Sequence, residues 1–278
     1  MADQAFRIAV PGATLRYVAS GRGKPLVFVH GALSDHRFWQ NQLPTFSPHY
    51  RCLAPDLRYF GDEPWLDNAL NYNFATHVGD LAEFLPRVVD GPAHIVGTSY
   101  GSTVALQVSL EHPELVQSLF LYEPSVGSLV TDPSLQAEMA EERKGLTPAL
   151  EAKARGDVDE SIRHFVAWIT TNVEALDAFP EDFNRMVADN ARTFAPHFSA
   201  PHFGLSREEV RRLRAPLTLA HGSNTLRVFA IGTRLLNDLV PGSTLRVISG
   251  AHHVGPYRRP REFNAALHEH LLRHSAAA

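Results

Sequence analysis

The sequence predicts an α/β protein: a mostly parallel twisted sheet with helices on both faces, and a helical lid inserted after the sixth strand. Three observations carry this expectation. Short apolar runs of buried-strand type alternate with amphipathic helical stretches up to residue 124. From about Pro124 to Arg214 the alternation stops, helical patterns take over and no buried strand is read. From Pro216 strand and helix alternate again. The expected division is a core of 1–124 and 211–278 and a lid of 125–210. A length of 278 residues suits one large domain with an insert, and 44% hydrophobic residues exclude disorder as the main state.

The elements follow in order. Phe6–Val10 and Thr14–Ala19 are strands joined by the turn signal Pro11-Gly12. Pro25–His30 and Arg51–Asp56 are apolar runs of buried-strand type. A helix is expected over Thr76–Val89, where Leu81, Phe84, Leu85 and Val88 share a face. Ala93–Ser99 is a strand entering a turn, Gly101–Glu111 a helix, and Val116–Tyr122 the sixth strand. Within the insert, Ile162, Phe165, Val166 and Ile169 mark one helical face, while Pro180, Pro196 and Pro201 break the region into pieces. The closing series is a strand Pro216–His221, a helix Val228–Leu239, a strand Ser243–Ile248 and a helix Pro260–His274.

Composition excludes several function classes. The formal net charge is -4, and no clustered basic surface is legible, so a nucleic-acid partner is not expected. One cysteine, Cys52, forbids an internal disulfide and a thiolate metal cage; it reads as a small buried hydrophobe. The first residues carry no apolar signal core, and no stretch approaches the roughly 18 apolar residues of a membrane span. A cytoplasmic protein without a membrane partner is expected; oligomeric state is open.

The strongest chemical signal is Gly97-Thr98-Ser99-Tyr100-Gly101, a G-x-S-x-G at a strand-to-helix junction. A tight turn there forces the serine into a strained conformation and projects its oxygen beyond the sheet. The following helix N-terminus and the Tyr100 N–H favour developing negative charge. His30-Gly31 ends an earlier strand, and the backbone N–H of Ala32 is placed to act as a second oxyanion donor. Gly250-Ala251-His252-His253 lies on the loop after the last strand, where a general base reaches the serine across the sheet.

Taken together, Phe28–Gly31, Asp56–Gly61, Gly97–Gly101 and Gly250–His253 resemble an α/β-hydrolase of the lidded esterase–lactonase type, from Pro25 to the last helix and in family order. The resemblance implies Ser99 as nucleophile, His253 as base, and Ala32 and Tyr100 as oxyanion donors. It implies no metal and no organic cofactor.

One element departs from that pattern. The family's acid usually stands three residues past a glycine after the seventh strand, and here the stretch is His221-Gly222-Ser223-Asn224-Thr225. Neither Asn224 nor Thr225 supplies the charge that stabilises imidazolium. The next candidate is Glu123, at the end of the sixth strand, an arrangement similar to that of one haloalkane dehalogenase subgroup and of zearalenone-type lactone hydrolases. The alternative is a loop-entry carboxylate in solvent.

Other features receive plainer expectations. His30, Trp168 and Phe198 are candidate pocket residues. The cluster Phe194–Phe198 with Pro201-His202-Phe203 either lines an acyl pocket or packs the lid on the core. His268, His270 and His274 read as solvated helix residues rather than metal ligands, Arg58 as a surface salt bridge, and Trp39 as a packing anchor for its loop. The expected activity is hydrolysis of a small, mostly apolar carboxylic ester or lactone through an acyl-enzyme on Ser99. The alternatives are carbon–carbon bond hydrolysis, cyanohydrin cleavage or perhydrolysis on the same fold, or a hydrolase-like receptor without turnover; a serine nucleophile argues against dehalogenation.

Overall fold

The computed structural model describes residues 4–171, 176–200 and 204–275. Eight strands form one sheet: β1 (Gln4–Val10), β2 (Ala13–Ser20), β3 (Pro25–Val29), β4 (Arg51–Pro55), β5 (Ala93–Thr98), β6 (Val116–Tyr122), β7 (Leu217–Gly222) and β8 (Thr244–Ile248). Their spatial order is β1-β2-β4-β3-β5-β6-β7-β8. β1 and β2 are antiparallel to each other, and β2 is antiparallel to β4. From β4 to β8 all pairings are parallel.

The helices are α1 (Leu43–Phe46), α2 (Phe74–Val88), α3 (Ser99–Glu111), α4 (Pro133–Arg143), α5 (Thr147–Ala154), α6 (Val158–Ile169), α7 (Glu181–Asp189), α8 (Phe194–Ser199), α9 (Arg207–Arg211), α10 (Arg227–Leu239), α11 (Gly255–Arg258) and α12 (Pro260–Ser275). The six from α4 to α9 all fall between β6 and β7, where the sequence places the insert.

Side chains alternate across a strand, so a sheet buried on both sides serves two cores. Leu26 and Phe28 of β3 enter one core with Phe263, Leu267 and Leu271 of α12. Val27 and Val29 enter the other with Val78, Leu81 and Leu85 of α2 and Leu236 of α10. Phe165, Phe183, Met186 and Phe194 of the insert join the first core, so the insert is packed against the sheet and not merely tethered to it. Trp39 is fully buried against Phe28, Phe38 and Phe263, and Cys52 is buried, both as the sequence suggests.

Three local expectations are corrected. α2 begins at Phe74 because Asn73 caps it, its side chain accepting the Thr76 N–H at 2.8 Å. Arg58 does not form a surface pair: it makes a bidentate, largely buried bond to Asp80 of α2. His270 is not solvated either. It lies beneath the sheet, with Nε2 2.8 Å from Ser118 Oγ and Nδ1 2.8 Å from Thr218 Oγ1, and His94 Nδ1 meets the same Ser118 oxygen at 2.7 Å. The cause is strand chemistry: β5, β6 and β7 carry His94, Ser118 and Thr218 near their first residues, and α12 supplies the histidine that meets the two hydroxyls. Burial pushes His270 down to about 3 and His94 to about 4.

Candidate active site

Ser99 opens α3 directly after β5 with φ +52°, and Glu123 stands directly after β6 with φ +48°. Left-handed backbone costs about 1–3 kcal/mol at a non-glycine residue, so tertiary packing must hold both. For Ser99 the hold is close approach of the chain to itself. A Cβ on Gly101 would come within 2.2 Å of the His30 carbonyl oxygen, and one on Gly97 within 2.6 Å of Ser102 Cα. Only glycine fits at either place, as the motif anticipates.

Glu123 is fully buried, and its carboxylate is completely engaged. Oε1 accepts the Gly222 N–H at 2.7 Å. Oε2 accepts Thr225 Oγ1 at 2.8 Å and lies 2.6 Å from His253 Nδ1. An ionised carboxylate only accepts, so Nδ1 carries the proton and Nε2 presents its lone pair. Phe229 of α10 stacks on the His253 ring, centroids 3.8 Å apart and planes 19° from parallel. Thr225 and Phe229 are site residues that sequence reasoning missed as such. The sequence marks Thr225 only by its position three residues past Gly222, and a stacking partner from a neighbouring helix leaves no local signal.

The loop carrying His253 is fixed from below. Tyr122 Oη donates to the His252 carbonyl at 2.7 Å, and Asn224 N–H donates to that of Ala251 at 2.8 Å. A Cβ on Gly222 would lie 2.1 Å from the Ala251 carbonyl oxygen, so glycine lets the two loops touch. His252 faces away from the cavity, its Nδ1 accepting the Val254 N–H at 3.2 Å.

Ser99 and His253 line one cavity together with Ala32, Thr98 and Ser34. Its empty space is about 500 Å³, solvent at the mouth included. The remaining wall is apolar: Leu33, Phe38 and Val254 from the core, and Phe165, Val166, Ile169, Phe183, Met186 and Val187 from the insert. Among the described residues, no lysine, arginine, aspartate or glutamate lines it. Three of the four residues on the helical face read from the sequence are in this wall.

The candidate pocket residues are corrected. His30 is fully buried: its Nε2 accepts the Leu57 N–H at 3.0 Å, which leaves Nδ1 to donate to the Gly31 carbonyl at 2.8 Å. Burial holds its pKa below the usual histidine range. Ser34 Oγ donates to the same carbonyl at 3.0 Å. In a trans peptide C=O and N–H point opposite ways, so these two bonds fix the direction of the Ala32 N–H. Trp168 lies outside the wall, its Nε1 donating to the Glu142 carbonyl at 3.2 Å and its ring against Phe165 and Phe229. Phe198 packs on Phe165 and Phe194, one layer behind the cavity. Pro201, His202 and Phe203 lie outside the described residues. The Tyr100 ring turns away into the second core, 2.6 Å from His77 Nδ1, leaving its backbone in the first turn of α3.

A polar seam joins insert and core beside the cavity. Asn190 donates to Asp35 Oδ2 at 2.7 Å and accepts the Gly61 N–H at 2.7 Å. Arg37 bridges Asp35 and Asp189. Burial alone would raise the Asp35 carboxyl, but the Arg37 bonds outweigh it and hold the group below its ordinary range. Asp35, His36 and Asp56 bring ligand-type atoms within 4.8 Å of one another, yet these atoms are engaged by Arg37, Asn190 and each other.

A family model described as alpha/beta hydrolase fold matches residues 24–260. The chain is similar to the pimeloyl-acyl-carrier-protein methyl ester esterase of Aeromonas hydrophila subsp. hydrophila, 26% identical over 256 residues, covering 87% of this chain and 93% of that one. It is also similar to a 2-hydroxy-6-oxo-6-(2'-aminophenyl)hexa-2,4-dienoic acid hydrolase of Metapseudomonas resinovorans, 33% identical over 114 residues, 40% of this chain and 39% of the relative. Among solved structures it resembles a serine hydrolase involved in carbazole degradation, with TM-score 0.75, 23% identity, and 97% and 99% of the two chains covered. A carboxylesterase from Bacillus subtilis gives TM-score 0.73 at 18% identity, with 98% and 92% covered.

Proposed function

We propose, for a chain that belongs to the alpha/beta hydrolase fold family, that Ser99, His253 and Glu123 hydrolyse an uncharged, mostly apolar carboxylic ester or lactone. The observation that carries this is the 2.6 Å contact of Glu123 Oε2 with His253 Nδ1, beside a cavity that His253 shares with Ser99. The chain is a hydrolase by its family and its esterase relatives; the substrate class is the proposal. The insert, residues 125–210, serves as the lid over the cavity.

In this reading His253 Nε2 takes the Ser99 proton as Oγ attacks the carbonyl carbon. Glu123 holds the imidazole and offsets its positive charge. The N–H groups of Ala32 and Tyr100 receive the oxyanion. His253 then protonates the leaving alkoxide, and the acyl group stays on Ser99. Water, losing a proton to the same nitrogen, attacks the ester carbonyl; collapse frees the acid and regenerates Ser99. No cofactor takes part in these steps.

The wall supports a neutral substrate. A buried carboxylate needs a charged or hydrogen-bonding partner. Among the described residues the lining offers no cation and, beyond the reacting groups, only the Thr98 hydroxyl and a Ser34 hydroxyl already donated to the Gly31 carbonyl. That weighs against carbon–carbon hydrolysis of a dienoate, the substrate in the name of the Metapseudomonas relative. The test is labelling with a fluorophosphonate, followed by turnover of p-nitrophenyl acetate and of p-nitrophenyl esters with and without a terminal carboxylate on the acyl chain. Labelling of Ser99 with preference for the neutral esters is expected. Labelling without turnover of any ester would return the protein to the receptor reading.

A further inference from the structure

We propose that Thr225 is a positioning residue of the reaction, acting through Glu123; this rests on the triad reading above. Thr225 stands where the expected acid is missing, and its hydroxyl donates to the same Glu123 oxygen that faces His253 Nδ1. The place has therefore not fallen vacant. It has changed from carrying the charge to holding it.

Three facts favour a functional hold over simple packing. Glu123 is fully buried, so its charge is sustained only by donors. Those donors are divided: Gly222 N–H takes Oε1, while Thr225 and His253 share Oε2. With one oxygen pinned by backbone and the other by hydroxyl, the carboxylate plane cannot rotate, and Oε2 stays aimed at Nδ1. Thr225 also lies two residues ahead of α10, which carries Phe229 against the face of the His253 ring. Acid and base are thereby registered by one short segment.

The hydroxyl has a second effect. By donating to Oε2 it draws charge away from the oxygen that faces histidine. Removing it leaves a stronger but less well-aimed acceptor. The predicted signature combines slower turnover with a tighter Nδ1–H bond, a pairing that loss of packing does not produce.

The experiment compares Thr225→Val, Thr225→Ala and Thr225→Ser in the full chain, with p-nitrophenyl acetate as probe. Valine keeps the shape and removes the donor. We expect both Thr225→Val and Thr225→Ala to lower kcat about three- to tenfold with KM unchanged, and Thr225→Ser to recover most of it. The downfield proton resonance of His253 Nδ1–H should move further downfield in the valine and alanine variants only, measured on samples whose circular dichroism matches the parent. Unchanged kcat and resonance in folded Thr225→Ala or Thr225→Val overturns the inference. So does a kcat loss that serine fails to recover, or one that leaves the resonance in place. Turnover surviving Ser99→Ala overturns the nucleophile instead; the resonance needs no substrate and still decides whether Thr225 acts on Glu123.

Discussion

His253 Nδ1 and Glu123 Oε2 lie 2.6 Å apart although 130 residues separate them in the chain, and that contact brings to the imidazole a carboxylate that stands directly after β6 rather than after β7. Replacing a triad's acid by its amide costs on the order of 10⁴ in turnover, because the histidine is then held in the wrong tautomer. Glu123→Gln should therefore lose at least about 10² in kcat. Asn224→Ala should cost less than about tenfold, its side chain contacting Ser223 and not the imidazole. Steady-state kinetics on the pair decides: a near-parental Glu123→Gln beside a crippled Asn224→Ala would move the third member to the amide.

Of the adjacent histidines, His253 should be essential and His252 dispensable, since only His253 lines the cavity. Ser99→Ala should abolish fluorophosphonate labelling and turnover without loss of fold. Inactivation by His252→Ala with survival of His253→Ala would reverse the assignment.

Substrate choice should follow the wall and not the layer behind it. Met186→Ala and Val166→Ala are expected to shift the preferred acyl length of p-nitrophenyl esters toward longer chains. Trp168→Ala should cost about 3–5 kcal/mol of stability, the usual toll of removing a buried aromatic, with a smaller change in ranking. Denaturant melts and a chain-length series separate the two; an unaltered ranking in both wall variants would count against this cavity as the acyl site.

Stability should fall with acid over a defined window. Burial lowers His77 to about 3, His270 to about 3 and His94 to about 4, from 6.5. The unfolded chain takes up protons below about 6.5 and the folded one does not, so stability is complete above that pH and is lost as pH drops toward 4. Each group adds a slope of up to about 1.4 kcal/mol per pH unit. Urea titrations at pH 7, 6 and 5 should show the decline, and His270→Gln should reduce its slope. A flat dependence between pH 7 and 5 would contradict the buried neutral histidines.

The sheet and the elbow were legible because they rest on local signals. Apolar runs give β3 to β7, and the glycines around Ser99 are required by approaches as near as 2.2 Å. The contact of Glu123 with His253 was legible by elimination, since the place after β7 holds Thr225. The pocket was not. Trp168 and Phe198 are the conspicuous aromatics of the insert, but aromatic bulk says nothing about which layer a side chain occupies, and Phe165 stands between Phe198 and the cavity. His30 was misread for a similar reason: a polar residue at a strand end suggests a ligand contact, whereas here both ring nitrogens are spent on backbone. His270 looked solvated because the polar ends of β6 and β7 that receive it are distant in sequence.

Thr98 and Tyr122 are paired across β5 and β6, so Ser99 and Glu123 each follow the last residue of a neighbouring strand, and Thr225 comes off the next one. Neighbouring strands lie about 4.8 Å apart. In the proposed triad the charge thus has two candidate berths one strand spacing apart, one at Glu123 and one at Thr225, which already meets the Glu123 carboxylate. A lineage can move the charge from one berth to the other by two substitutions, with the path of the chain unchanged. Filling both berths at once would set two carboxylates on one nitrogen, and mutual repulsion would drive one of them to bind a proton. The easier crossing runs through a neutral donor at the berth being left, and a threonine hydroxyl is such a donor.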